Sequence, residues 1–397
     1  MKLPDAPWRN RSPMKRLLRV LGAEAGATRY VGGCVRDSLL GLEVSDVDLA
    51  TRMRPEQVIA RLEAAGIKAV PTGIAHGTVT AVLNGRPVEV TTLRRDVATD
   101  GRRATVAYTE DWREDAARRD FTINALSADP ASGEIFDYFG GEADIAARRV
   151  RFIGDPLVRI AEDHLRILRF FRFHARFGKG EPDAEAVAAC AGRANDLMAL
   201  SRERIADELL KLLALPDPGA TVRLMVRLGI FRPVLPEVTT AEPLAELVAA
   251  EQRAGIAGEA VRRLAALLPP DPAVAAAVAA RLRLSKRQAK RLIAAADRSL
   301  DAPEVLAYES GVEAAVDRFL LAGRTDLDLR ALQRWQPPRM PLSGGDLIAM
   351  GLEPGPVVAA AMQAVEREWV RSGFPAGKAE VRTLARRHVD QALRASP

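Results

Sequence analysis

The sequence predicts an α+β fold, a mixed α/β head over residues 1–140 followed by helices up to residue 397. Three observations predict it. Short runs rich in β-branched residues and broken by glycine cluster before residue 140. From about residue 145 onward, apolar residues recur at helical spacing and almost no strand pattern remains. Pro269-Pro270 and Pro337-Pro338 then punctuate a long helical series. A length of 397 residues suffices for two to four domains with a sizeable core.

Taken in order, residues 13–25 read as an amphipathic helix. Strands are expected near 29–33, 46–50, 67–71, 76–83, 87–93, 104–108 and 134–137, and helices near 35–41, 55–65 and 117–126. Residues 94–113 form a polar segment in which Asp100-Gly101-Arg102 predicts a flexible turn. Helices follow near 158–177, 183–195, 201–213, 218–228, 242–252, 258–267, 272–281, 286–297, 303–309 and 312–322. The segment 343–395 is helical again. Alanine richness at 273–280 reflects helix propensity.

Tyr30-Val31-Gly32-Gly33-Cys34-Val35-Arg36-Asp37 precedes Ser45-Asp46-Val47-Asp48-Leu49. On a strand, acids at i and i+2 share a face, so Asp46 and Asp48 project together while Val47 and Leu49 turn to a core. Paired carboxylates repel unless a cation lies between them, and hard oxygen donors suit Mg²⁺ completed by substrate phosphates. Two such ions would clamp an attacking 3′-hydroxyl oxygen and a leaving pyrophosphate. Gly32 and Gly33 offer backbone N–H groups to a phosphate. Together these features point to nucleotidyl transfer. Glu89, between Val88 and Val90, supplies a third carboxylate or is a solvated acid on an edge strand.

Glu162-Asp163-His164-Leu165-Arg166-Ile167-Leu168-Arg169-Phe170-Phe171-Arg172-Phe173 reads as one helix. Asp163, Arg166, Arg169 and Arg172 recur every three residues on it, either as an exposed ion-pair stripe or as a row facing a cleft.

The glycine pair, the acid pair, Gly73-Ile74-Ala75-His76-Gly77-Thr78, Arg118-Arg119-Asp120 and the 162–173 run occur in one order. That ordered set resembles the class II tRNA nucleotidyltransferases, the CCA-adding enzymes and related poly(A) polymerases, tightly over residues 28–178. The resemblance implies a polymerase-β-like nucleotidyltransferase head over residues 1–140, a neck over 141–200, a body over 201–300 and a tRNA-binding tail over 301–397. It assigns Gly33 and Arg36 to the triphosphate, Arg119 to the nucleotide and Asp120 to the ribose 2′-hydroxyl.

It also turns Asp163 and Arg166 into a protein template. An acceptor beside a donor matches the amino group and ring nitrogen of cytosine or adenine and mismatches uracil and guanine. Arg169 and Arg172 then position the base or phosphates. The expected substrates are CTP, ATP and the 3′ end and acceptor arm of tRNA, with Mg²⁺ as cofactor and no obligate protein partner. The resemblance implies that a loop at 94–113 accompanies the change from adding C to adding A, which argues against an enzyme that stops after CC. The competing readings are a poly(A) or A-adding polymerase of the same family and a non-catalytic RNA-binding protein.

Composition agrees with a polyanionic partner: 58 Lys and Arg against 52 Asp and Glu leave a net charge of +6. Two cysteines are too few for a disulfide framework or a zinc site, and buried free thiols are expected. Four histidines are too few for the phosphohydrolase domain that some relatives carry. No signal peptide and no membrane-length apolar run is visible, so a cytoplasmic protein is expected.

Overall fold

The computed structural model describes residues 2–100 and 103–395. It divides into two compact units, Met1–Pro236 and Glu237–Pro397.

In the first unit α1 (Pro7–Asn10) and α2 (Ser12–Val20) precede β1 (Thr28–Val31), α3 (Gly33–Leu39), β2 (Asp48–Thr51) and α4 (Pro55–Ala64). Then come β3 (Lys68–Gly73), β4 (Thr78–Leu83), β5 (Arg86–Thr92), β6 (Arg94–Asp100), β7 (Arg103–Tyr108) and α5 (Trp112–Ala117). β8 (Ser127–Ala128), β9 (Ile135–Phe136) and the helices α6 (Gly141–Ala146), α7 (Pro156–Glu162), α8 (Arg166–Phe177), α9 (Ala184–Gly192), α10 (Arg202–Leu213) and α11 (Gly219–Arg227) complete it.

Seven strands form one sheet in the order β3-β4-β5-β2-β1-β8-β9. Only β2 and β5 run parallel; their register sets Asp48 beside Glu89 and Leu49 beside Val90. Tyr30, Leu49 and Val90 are fully buried; β5 alternates buried Val88, Val90 and Thr92 with more exposed residues, while β1 and β2 are buried at consecutive positions.

Four expectations need correction. β2 begins at Asp48, so Asp46 lies in the loop before the strand rather than on it. Residues 94–100 pair with 103–108 as a hairpin, with Gly101 and Arg102 outside the described residues. Backbone ladder bonds hold that ribbon, and a mostly polar run shows no alternation to read. The helix expected at 117–126 lies earlier: Asp111 caps α5 through the Arg113 N–H, and the chain leaves it at Arg118. Phe121 then bridges to Phe152 in extended backbone, and a single 3-10 turn (Thr122–Asn124) follows. Burial of Phe121, Ile123 and Leu126 together overrides helical propensity here.

The helix expected at 158–177 is broken. Asp163 has extended backbone (φ −153°, ψ 106°) between α7 and α8. Its Oδ1 accepts the Leu165 N–H at 3.1 Å, a local bond that competes with helix continuation. The three arginines share α8, but Asp163 is on neither helix. Phe121 packs on Phe152 (5.0 Å between ring centres) and Phe173 (5.1 Å), which clamps α8 to the segment carrying Arg118-Arg119-Asp120.

The second unit contains α12 (Glu242–Ala254), α13 (Ala260–Leu267), α14 (Pro272–Arg281), α15 (Lys286–Ala296), α16 (Pro303–Ser310) and α17 (Val312–Leu321). α18 (Leu329–Arg334), α19 (Gly344–Ala349), α20 (Pro356–Arg371) and α21 (Lys378–Ala395) follow. One apolar cluster gathers around Phe319 and Leu320, another around Val365 and Trp369. Buried Arg262 joins Glu251 (2.6 Å) and Asp317 (3.0 Å), so each buried charge is paired.

Candidate active site

The first glycine of the pair is required by geometry. Gly32 has φ +67°, and a Cβ there would stand 2.9 Å from Arg119 Nη1. Its N–H donates to Leu126 O at 3.1 Å. Gly33 opens α3, which carries Arg36 one turn on. Arg36 is buried; it donates from Nε to Asp37 Oδ1 (2.8 Å) and from Nη1 to Asn124 Oδ1, and lies 4.1 Å over the Phe177 ring.

Arg119, two residues past the end of α5, is held by Asp115 on that helix. Its Nη2 reaches Asp115 Oδ2 at 3.2 Å, and Arg118 Nε reaches Asp115 Oδ1 at 2.9 Å. Burial works against the charge on Asp115, yet Arg119 and Arg118 hold its carboxyl below the usual range. Asp120 receives four donors: Phe121 N and Asn124 Nδ2 on Oδ1, each at 2.9 Å, and Arg169 Nε and Nη2 on Oδ2 at 2.8 and 2.6 Å. Again burial opposes ionisation and Arg169 prevails, so the carboxyl is held low.

Arg166 is anchored from behind. Its Nη1 donates to Arg159 O (3.0 Å) and Glu162 Oε2, and its Nη2 to Arg118 O (3.1 Å). Asp163 meets Arg204 Nη2 through Oδ2 at 2.7 Å rather than lying against Arg166. Arg172 is directed to Glu208, with Nε 2.6 Å from Oε2.

These groups converge. A cavity of about 380 Å³ is lined by Gly32, Gly33, Arg36, Asp48, Arg119, Asp120, Asn124, Asp163, Arg166, Arg169 and Phe173. That volume falls within the usual range for small-molecule sites, about 300–1,000 Å³. Of the residues singled out in the sequence, Asp46, Glu89 and Arg172 lie outside its lining. Asp46 and Glu89 are nevertheless felt there. Burial first, then the Glu89 charge, with Asp46 adding and Arg119 opposing, push the Asp48 carboxyl up to about 6. Such a carboxylate, short of positive charge, is what a divalent cation satisfies. Among the described residues, no three His, Cys, Asp or Glu side chains gather as a complete metal cage.

Asn124, Glu162, Arg204 and Glu208 were not singled out by sequence reasoning. Arg204 and Glu208 stand four apart on α10, a spacing that alone reads as an ordinary surface pair.

Residues 28–151 match the family described as "Poly A polymerase head domain", and residues 181–242 match "Probable RNA and SrmB- binding site of polymerase A". The mitochondrial CCA tRNA nucleotidyltransferase 1 of Mus musculus is 35% identical over 93% of this chain and 88% of its own length. The CCA-adding enzyme of Levilactobacillus brevis is 30% identical over 91% of this chain and 94% of its own. The crystal structure of the Bacillus stearothermophilus CCA-adding enzyme in complex with CTP superposes with a TM-score of 0.78 at 26% identity, covering 97% of this chain and 100% of that one. With residues of the Gly-Gly, Asp48, Arg119-Asp120 and 163–173 motifs lining one cleft and relatives this similar along nearly the whole length, the chain belongs to the class II CCA-adding tRNA nucleotidyltransferase and poly(A) polymerase family.

Proposed function

We propose that this chain completes tRNA 3′ ends, adding C, C and A from CTP and ATP without a nucleic-acid template. The observation that carries this reading is the single cleft in which Asp48, the guanidiniums of Arg36 and Arg119, and the Asp163 and Arg166 side chains meet.

The residues divide the work. Gly32 already donates its N–H to Leu126 O, continuing the β1–β8 pairing, so the phosphate donor of the pair is assigned to Gly33. Arg36 and Arg119, each fixed on one side by Asp37 or Asp115, present their remaining N–H groups to the triphosphate. Asp120 is assigned to the ribose 2′-hydroxyl, a contact for which one of the four donors now on its carboxylate must give way, and Asn124 lies on the same lining. Phe173 offers an apolar wall. Arg169 bridges Asp120 and the neck helix α8, and Arg172 braces that helix on Glu208.

Asp46 and Asp48 fit Mg²⁺, two ions in this reading, which when bound supplies charge neutralisation on the triphosphate and a more acidic RNA 3′-hydroxyl. Glu89, in register with Asp48, is the candidate third carboxylate.

Head (1–140) and neck (141–200) hold the cleft in this division, and body (201–300) and tail (301–397) are assigned to gripping tRNA. Among the described residues no helix is long and apolar enough to cross a membrane. Cys34 and Cys190 are buried free thiols, which suits a reducing compartment, and the cytoplasm is the location proposed.

The test is incubation of the full chain with tRNA lacking its 3′ end and each nucleoside triphosphate. Addition of C, C and A and then arrest is the expected result. A long run of A would assign poly(A) synthesis, and no addition with retained binding would assign a non-catalytic RNA-binding role.

Binding of tRNA is expected to weaken with salt, log affinity falling linearly with log salt as phosphate contacts release counterions. A chain ending at Pro236, the edge of the first compact unit, should bind tRNA more weakly than the full chain. Equal affinity of the two in a filter-binding titration would remove the second unit from the tRNA interface.

A further inference from the structure

We propose that Arg204 is a positioning residue for base selection, holding the Asp163 carboxylate in the orientation that reads the incoming base. The inference rests on the assignment of Asp163 and Arg166 as the protein template.

Asp163 needs such a partner. It sits in extended backbone between α7 and α8, where neither helix sets the direction of its side chain. Two donors fix the carboxylate instead: the Leu165 N–H on Oδ1 at 3.1 Å and Arg204 Nη2 on Oδ2 at 2.7 Å. Each carboxylate oxygen has two lone pairs, so one acceptor site remains on each oxygen after these bonds. An amino group of cytosine or adenine must use one of these. Removing Arg204 frees the carboxylate plane to rotate about its own bond.

The placement of Arg204 favours this role over simple fold stabilisation. It is the third residue of α10, where the helix dipole disfavours a cation unless an acid meets it. Both side chains are about a third exposed, 35% for Arg204 and 29% for Asp163, and ion pairs at that exposure contribute little to folding. One turn further along α10, Glu208 holds Arg172 Nε at 2.6 Å and lies 3.6 Å from Arg169 Nη1. The same helix thus supplies a cation to the reading acid and an acid to the arginines beyond it. α10 backs the row from Asp163 to Arg172, although its residues lie 36 or more positions away in the chain.

The experiment is single-nucleotide addition to tRNA lacking its 3′ end, with all four triphosphates, for full-length Arg204→Ala, Arg204→Lys, Asp163→Ala and the double variant. For Arg204→Ala the ratio of kcat/KM for CTP over UTP, and for ATP over GTP, should fall about tenfold, the value of one charge-assisted hydrogen bond. KM for tRNA and the melting temperature should stay near those of the parent. Arg204→Lys restores the charge without the planar fork and should recover part of the ratio.

In the Asp163→Ala background, adding Arg204→Ala should change selection no further, because the two act through one carboxylate. An equal rate loss with all four nucleotides in Arg204→Ala, or an unchanged ratio, overturns the positioning role while leaving the template intact. Unchanged selection in Asp163→Ala overturns the template and this inference with it. Should Arg204→Ala not fold, Arg204→Gln keeps the side-chain length, and the same ratio decides.

Discussion

Asp48→Asn should abolish nucleotidyl transfer and, in metal-free protein at neutral pH, raise the melting temperature. The two effects have one cause. Asp48 is half-buried beside the charges of Glu89 and Asp46, and its carboxyl is pushed up to about 6 from an ordinary 3.8. The folded state therefore prefers the protonated acid. Stability from that preference is fully present below 3.8 and is lost as pH rises through about 6. Above that pH the parent carries a charge penalty that asparagine, of the same shape, does not. The variant should be more stable by about 1–2 kcal/mol at pH 7.5, and the gap should close near pH 4.

Activity moves the other way. Loss of a carboxylate that holds a charge-neutralising ion costs roughly 4 kcal/mol of transition-state stabilisation, about a thousandfold in rate. Asp46→Ala should lose transfer comparably, from its place in the loop before β2. Mg²⁺ should raise the melting temperature of the parent more than that of Asp48→Asn. Thermal melts across pH and a Mg²⁺ titration of transfer check both halves. Near-parental transfer in either variant at any Mg²⁺ concentration would sink the metal assignment.

The part of the site legible in sequence is the part written in local pattern. Gly32, Gly33 and the strand ending at Val31 are consecutive, and Tyr30-Val31 and Leu49-Ala50 mark their strands as short apolar runs that are buried. Parallel pairing of β2 with β5, which brings Glu89 to Asp48, joins residues 41 apart, and only the fold decides that register. Of the β6–β7 hairpin the sequence marks β7 alone, because Arg94-Arg95-Asp96 offers no apolar face to betray the period of β6. The break at Asp163 was hidden for the opposite reason. Ile160, Leu165, Leu168 and Phe171 keep an apolar rhythm across it, while one side chain–backbone bond at Asp163 ends one helix and starts another. Arg204 and Glu208 were invisible because their partners lie far away in the chain and their own spacing says only that they share a helix face.

Asp163→Ala and Arg166→Ala should each relax selection against UTP and GTP while slowing CTP and ATP addition. Arg166 is prepared for this. Three of its five N–H groups are engaged, two on Nη1 by Arg159 O and Glu162 and one on Nη2 by Arg118 O. Among the described residues, the Nε–H and the second Nη2–H remain for a base. Asp163 presents acceptors in the same cavity. Cytosine and adenine place an amino donor beside a ring-nitrogen acceptor, which pairs with acid and guanidinium respectively. Uracil and guanine reverse that order and set carbonyl against carboxylate and N–H against N–H. Each mismatched polar group loses its water without a replacement, so the pair should be worth about ten- to a hundredfold in the CTP-to-UTP ratio. In Arg166→Ala, Glu162 stays on Arg159 Nη1, which lies 3.0 and 2.8 Å from its two oxygens. Asp46 and Asp48 are untouched by either change, so the misincorporation that appears should still require Mg²⁺. The measurement is kcat/KM for single addition with each of the four triphosphates. Parental selectivity in both variants would return the row from Asp163 to Arg172 to a structural ion-pair ladder and leave base choice to other groups of the cleft.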